Sequence, residues 1–277
     1  MKTILLLSTK EMREGLRNRW VVAATGLLAA LALTLTFLGS APTGTVGAGA
    51  LDVVVISLAS LTIFIVPLIA LLISHDAIVG EIERGTMTLL LSYPVRRRQV
   101  LLGKFLGHLA ILAFATCVGY GLAAIALLVT GKAMIGAGSW AAFMTMTASS
   151  VLLGAVFVAI GYLVSALVAD RATAGGIAIG IWLVFVVLYD MALLGLLVAD
   201  QGRAVSGGTL DALLLFNPTD AYRLLNLAGS GDIATASGMA GTIQTAALAP
   251  AALLAALAAW VVAPMALAAL AFSRREL

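Results

Sequence analysis

The sequence predicts an all-helical membrane protein: six transmembrane helices, an amphipathic helix along the membrane face ahead of the first, and both termini in the cytoplasm. Three observations carry that reading. Of the 277 residues, 62% are hydrophobic and 10% charged, well under half the roughly 25% charged share of a soluble domain. Mean hydropathy is +1.12, and apolar stretches long enough to cross about 30 Å of hydrocarbon recur along the chain. Lys and Arg concentrate in alternate intervals between those stretches, the asymmetry that orients a membrane protein. A soluble enzyme, a disordered chain and a nucleic-acid-binding domain are excluded. The net charge of +3 is distributed to set orientation, not to hold a polyanion.

Residues 1–19 read as the interfacial helix. Leu5, Met12, Leu16 and Trp20 share one side at helical spacing, with Lys10, Arg13, Glu14 and Arg17 elsewhere. Such a stripe lies in the acyl boundary of the inner leaflet. Glu11 and Glu14 in this basic segment, followed by an apolar run longer than the about 7–15 residues of a signal sequence, argue against a cleaved leader. The spans then cover residues 21–38, 53–74, 105–129, 142–168, 177–198 and 246–272. Six spans of about 20 residues leave no room for a second, soluble domain. Residues 1–277 are therefore one transmembrane domain, with a cytoplasmic loop at 75–104 and a periplasmic loop at 199–245.

Charge fixes the orientation. With the N-terminus inside, thirteen Lys and Arg face the cytoplasm, and Lys132, Arg203 and Arg223 face out. That bias places both termini in the cytoplasm. In the long outer loop, Asn217 suits a helix N-cap, Pro218 the first helical position and Asp220 the first turn. This helix continues through Tyr222 and Arg223 to about 228, and Gly229-Ser230-Gly231 ends it. It either closes the outer end of the bundle or forms a docking surface for an extracytoplasmic partner.

Within the spans, Gly103/Gly107, Gly154/Gly161 and Gly176/Gly180 are spaced for close helix approach, and Pro250 and Pro264 for kinks in the sixth. Asp190 is the one acidic residue well inside a span. A carboxylate at that depth is a functional candidate, or else it is paired near the outer interface.

The loop at 75–104 carries the mechanism. After Glu81 and Glu83 come Arg84, Gly85 and Thr86, then a short leucine-rich stretch with Leu89, Leu90 and Leu91. Pro94 and the triplet Arg96-Arg97-Arg98 follow. Gly85-Thr86 starts a short helix and Pro94 stops it. Three leucines exposed on a loop helix need burial against a partner or against the base of the bundle.

Here the chain resembles the membrane subunits of ABC-2 type transporters. Their pattern of Glu-x-Glu-x-Gly-Thr, short leucine-rich coupling helix, Pro, basic residues and Gly-Lys is matched by Glu81, Glu83, Gly85, Thr86, Pro94, Arg97, Gly103 and Lys104. A closer similarity, to the membrane subunits of transporters that serve nitrous-oxide reductase maturation, rests on Lys10-Glu11, Gly15 to Trp20, Ser57 to Leu61, Pro67 to Leu71, Asp76 to Glu81 and Phe216-Asn217-Pro218 with Asp220 and Arg223. The resemblance implies an ABC-2 (type V exporter-like) fold in the bacterial inner membrane. It also implies a homodimer of this chain bound to a dimeric cytoplasmic ATPase that holds ATP and Mg. The coupling residues would be Glu81, Glu83, Arg84, Gly85, Thr86, Leu89, Leu90, Pro94 and Arg97, with a second contact at Asp170 and Arg171. A periplasmic β-helical protein involved in assembling the copper-sulfur centre would dock on Asn217, Pro218, Asp220, Tyr222 and Arg223.

No Gly-x-x-x-x-Gly-Lys-Ser/Thr, His-Glu-x-x-His or Gly-x-Ser-x-Gly is present, so no ATP site or catalytic centre is expected here. No cofactor or metal is expected on this chain either. Cys117, His75 and His108 are far apart in sequence, and Met144 and Met146 point to different helix faces. The cargo stays open between copper, a sulfur species and none. Three rivals also stay open: an ABC-2 exporter of a drug, lipid or peptide, a proton-coupled secondary transporter working through Asp190, and a membrane scaffold that moves nothing and only transmits force.

Overall fold

A computed structural model of the chain describes residues 2–38, 50–130, 137–200, 206–228 and 248–275. Lys132, Arg203, the expected Gly229-Ser230-Gly231 stop and the first two residues of the sixth span lie outside the described residues.

Among the described residues all regular structure is helical. In order these are α1 (Lys2–Leu16), α2 (Arg19–Leu38), α3 (Ala50–Ser74), α4 (Val79–Glu83), α5 (Thr86–Leu91) and α6 (Arg97–Val129). Then come α7 (Ala137–Leu167), α8 (Arg171–Leu183), a π-helical turn (Val184–Leu188), α9 (Tyr189–Asp200), α10 (Gly207–Phe216), α11 (Pro218–Ala228) and α12 (Pro250–Arg274). Among the described residues five helical stretches are long and apolar enough to cross a membrane: α3 with α4, α6, α7, α8 through α9, and α12. A sixth arises when α1 and α2, bent by 68° at their junction, are taken together.

Helix α7 is the centre of the bundle, with 78% of its apolar window buried. Close approach at two glycines makes this possible. A Cβ at Gly154 would sit 2.0 Å from Leu112 Cδ2, and one at Gly161 2.0 Å from Ser74 Oγ, so α6 and α3 pack directly on the α7 backbone. Gly103 and Gly107 serve the first helix instead. A Cβ there would lie 2.7 Å from Leu7 Cβ and 2.5 Å from Glu11 Cβ, so α1 lies against the start of α6.

Several expectations need correction. Helix α1 turns Leu7 and Glu11 to the bundle, a face that the stripe of Leu5, Met12, Leu16 and Trp20 did not include, because a buried cation on α6 draws Glu11 inward. Nothing lies within 4 Å of a Cβ at Gly176 or Gly180, so that pair makes no close helix approach among the described residues. Pro250 opens α12 at its first turn and does not kink it, since a proline there lacks only an N–H that would be unpaired anyway. The third span begins earlier than drawn: Gln99 Oε1 accepts from the Arg96 N–H at 3.0 Å and so caps a helix that starts at Arg97. Helix α10, unforeseen in the outer loop, is started by Ser206 Oγ accepting from the Thr209 N–H.

Candidate functional site

The sequence-predicted coupling residues gather at one end of the bundle, the base. There α3 hands over to α4, whose first N–H groups need acceptors. Ser165 Oγ, at the end of α7, accepts from both the Ile78 and Val79 N–H groups at 3.0 Å. Gly85 then takes φ +70°, a left-handed conformation that costs a residue with a Cβ about 1–2 kcal/mol. It redirects the chain into α5, and Thr86 Oγ1 donates back to Glu81 O at 3.2 Å.

Helix α5 is amphipathic within six residues. Met87 is fully buried and Leu90 and Leu91 are half-buried, positions i, i+3 and i+4 on one face. Leu89 is 67% exposed and Tyr93 69%. Of the three leucines expected to need burial against a partner or the base of the bundle, Leu90 and Leu91 root the helix on the bundle and Leu89 stays exposed. Arg84, Gly85, Thr86 and Pro94 complete an exposed rim.

Charge holds this loop in place. Lys104 is 3% exposed, and its Nζ lies 2.9 Å from Glu11 Oε1 and 2.6 Å from Glu81 Oε1. One ammonium thus joins α1, α4 and α6. Burial pushes the Glu11 carboxyl up, and Lys104 more than reverses this, so Glu11 titrates below its ordinary value. Glu83 accepts the backbone N–H of Arg171 at 2.8 Å, and Arg171 Nη2 lies 3.3 Å from Asp76 Oδ2. Asp170 caps α8 by accepting the Thr173 N–H at 2.8 Å, and this bond with the Thr173 hydroxyl holds its carboxyl below the usual range.

Arg97, expected to frame a partner contact, is turned onto the chain's own C-terminal end. It donates to Phe272 O at 2.7 Å and Arg275 O at 2.6 Å, with its guanidinium 5.5 Å from the centre of the Phe272 ring. Arg275 in turn donates to Ser165 O and Ala166 O. His75 Nδ1 donates to Leu72 O, and His108 Nδ1 pairs with the Tyr162 hydroxyl at 2.8 Å. Among the described residues no group of three His, Cys, Asp or Glu gathers to hold a metal ion.

At the opposite end the structure joins two candidates that the sequence left apart. Arg223 Nη2 lies 2.6 Å from Asp190 Oδ2, and Nη1 lies 2.7 Å from Asp220 Oδ1. Asn217 caps α11 by accepting from Thr219, and its Nδ2 donates to Phe185 O and to Asp220. Tyr222 and Asn226 bond to Ser150 and Ser149 of α7. Asn217, Pro218, Asp220 and Tyr222, the residues expected to meet an extracytoplasmic partner, are buried, and these side chains fasten α11 to the bundle. The π turn on which Asn217 closes had no distinctive sequence signal. A Ser-Gly-Gly-Thr start before an apolar run was the available sign of α10.

The described residues thus form an α-helical bundle with apolar spans that presents a short amphipathic helix on an ion-paired loop. The chain belongs to the ABC-2 family transporter proteins, whose family model matches residues 5–277, and so it is an ABC transporter permease. It is 46% identical over 277 residues to the probable ABC transporter permease protein NosY of Pseudomonas aeruginosa, covering all of both chains. To the protein of the same description from Stutzerimonas stutzeri it is 44% identical, over 99% of each.

Proposed function

We propose that this chain is the membrane half of an inner-membrane machine. Two copies bind a dimer of a separate cytoplasmic ATPase that holds ATP and Mg, and both termini lie on the ATPase side. The observation that carries this reading is the basal loop. Helix α5 offers Leu89, and the turn after it Tyr93, to solvent, while its root is fixed through Glu81 to Lys104 and through Glu83 to Arg171. A rigid contact of this kind can pass ATPase closure into the spans. The basic residues of the described chain cluster at this same end, in keeping with a cytoplasmic base.

Full-length similarity to two NosY permeases, with the motif resemblance set out above, supports a role in assembling the copper-sulfur centre of nitrous-oxide reductase. A periplasmic β-helical protein is the partner in this reading. Export of a drug, lipid or peptide is the competing reading. A proton-coupled transporter working through Asp190 is the third reading, and in this structure Asp190 is ion-paired with Arg223 at 2.6 Å.

Affinity purification from native membranes, with mass spectrometry and an ATP hydrolysis assay, tests the proposal. An ATPase together with a periplasmic β-helical protein is the expected result. An ATPase alone moves the assignment to a general exporter, and recovery of no ATPase overturns the coupling role of the loop.

A further inference from the structure

We propose that Arg223 is a positioning residue for the outer half of the fifth span: with Asp190 and Asp220 it forms a latch that holds α9 against α11, and the π turn below it is the hinge. The latch itself stands on geometry. Its part in transmission rests on the coupling role proposed above.

The fifth span is unlike the others. Only 6% of its apolar window is buried within the chain, against 78% for α7 and 61% for the α3 stretch. Its lower half, α8, still turns Ala174 and Ala178 inward and sends Trp182 Nε1 to Phe64 O at 2.9 Å. The upper half, α9, buries none of its twelve residues. Within one copy, side-chain packing therefore holds α9 only weakly, and polar contacts at its foot add to it. Arg223 reaches Asp190, and the Tyr189 hydroxyl donates to Leu213 O at 2.7 Å.

A hinge lies directly below. The π turn at Val184–Leu188 widens the helix and interrupts its regular hydrogen-bond ladder, a usual cause of bending. Here Phe185 O is taken by Asn217 Nδ2 at 3.1 Å and Thr219 Oγ1 at 3.2 Å. The body to which this foot is tied is fixed, because α11 is bonded to α7 through Tyr222 and Asn226. At the other end of the same span Arg171 is tied to Asp76 and Glu83 of the basal loop. From Arg171 to Asp190 a helix rises about 28 Å, close to the hydrocarbon thickness. One span thus runs from the loop that meets the ATPase to the latch, and an open latch frees its outer half to swing.

The test uses the full chain in lipid nanodiscs with Cys117→Ser. Spin labels are placed at Val198 on α9 and Leu254 on α12, both exposed. Dilution with unlabelled chain keeps each distance within one copy. The native latch should give one narrow distance distribution. Arg223→Gln should add a second, longer population, and the charge-reversed pair Asp190→Arg with Arg223→Asp should remove it. If Arg223→Gln fails to fold, Asp190→Asn keeps the Arg223–Asp220 contact and should show the longer population alone. A single unchanged distribution in either variant overturns the latch. With the ATPase bound, a nucleotide-dependent shift in the native latch supports transmission. Its absence, with the variant's second population still present, leaves the latch intact and overturns the coupling reading.

Discussion

Lys104 and Glu81 meet at 2.6 Å in a site where the lysine is almost wholly enclosed, and this contact fixes the position of the whole basal loop. Glu11 shares the same ammonium at 2.9 Å. An ion group of this kind adds little compared with a well-packed apolar core, yet removing its central charge leaves uncompensated carboxylates, at a cost of about 3–5 kcal/mol.

Lys104→Met should therefore lower the thermal midpoint in detergent, and it should also reverse the pH dependence. In the native chain the Glu11 carboxyl lies below its ordinary value. Its stabilising contribution is full above the unfolded value and is lost as pH falls through the folded one. Without Lys104, burial, the largest influence on Glu11, is opposed only by His108 and by Lys10 at 3.7 Å; the carboxyl should rise, so the variant should gain stability on acidification from about pH 7 to about pH 4. Thermal scans across that range check the sign, and parallel curves for the two proteins would refute the assignment.

Gly107→Val is expected to undock α1. A Cβ there meets Glu11 Cβ at 2.5 Å, a backbone-proximal atom that cannot rotate away, and overpacking of this kind costs about 1–3 kcal/mol. Gly180→Val, with open space around its Cβ, is the control and should leave the unfolding midpoint of the isolated chain unchanged. Faster proteolysis near residue 17 in Gly107→Val alone is the diagnostic result.

How far the sequence could be read follows from what each element depends on. The spans and the basal loop were legible because hydropathy, Gly85 and Pro94 are local signals, and α11 was legible from Asn217-Pro218 and Asp220. The direction in which side chains face was not. Glu11 turns inward because of Lys104, 93 residues away, and Asp220 is buried because Arg223 and Asn217 satisfy it. A polar residue on a loop helix gives no sign of whether its partner is water or a distant helix. The Asp190–Arg223 pair likewise required the π turn and α11 to be placed together.

Leu89 and Gly85 separate contact from rigidity. Leu89→Glu changes an exposed side chain, so stability should hold within about 0.5 kcal/mol while ATPase binding is lost in co-purification. Gly85→Ala strains a left-handed backbone by about 1–2 kcal/mol. It should retain the ATPase and weaken the link between hydrolysis and function. Equal loss of binding in both would show that Gly85 is itself part of the contact surface.

Asp190 and Arg223 should differ sharply when each is removed. Asp190→Leu leaves Arg223 its second partner, Asp220 at 2.7 Å, and keeps the charges on α11 balanced. The cost should resemble that of a partly exposed ion pair, about 0–1 kcal/mol. Arg223→Leu strands two carboxylates, and Asp220 is only 2% exposed. Burial and the neighbouring Asp190 raise Asp220 to about 6 even with Arg223 present, so without the arginine it should take up a proton at higher pH still. Its folded value then lies above the unfolded one, and stability recovers as pH falls through the folded value. Arg223→Leu should thus be the less stable variant at about pH 8 by about 2–4 kcal/mol, with the gap narrowing towards about pH 5. Thermal midpoints of the two variants across that interval measure the gap, and a constant difference would show that Asp220 does not carry the charge that Arg223 compensates.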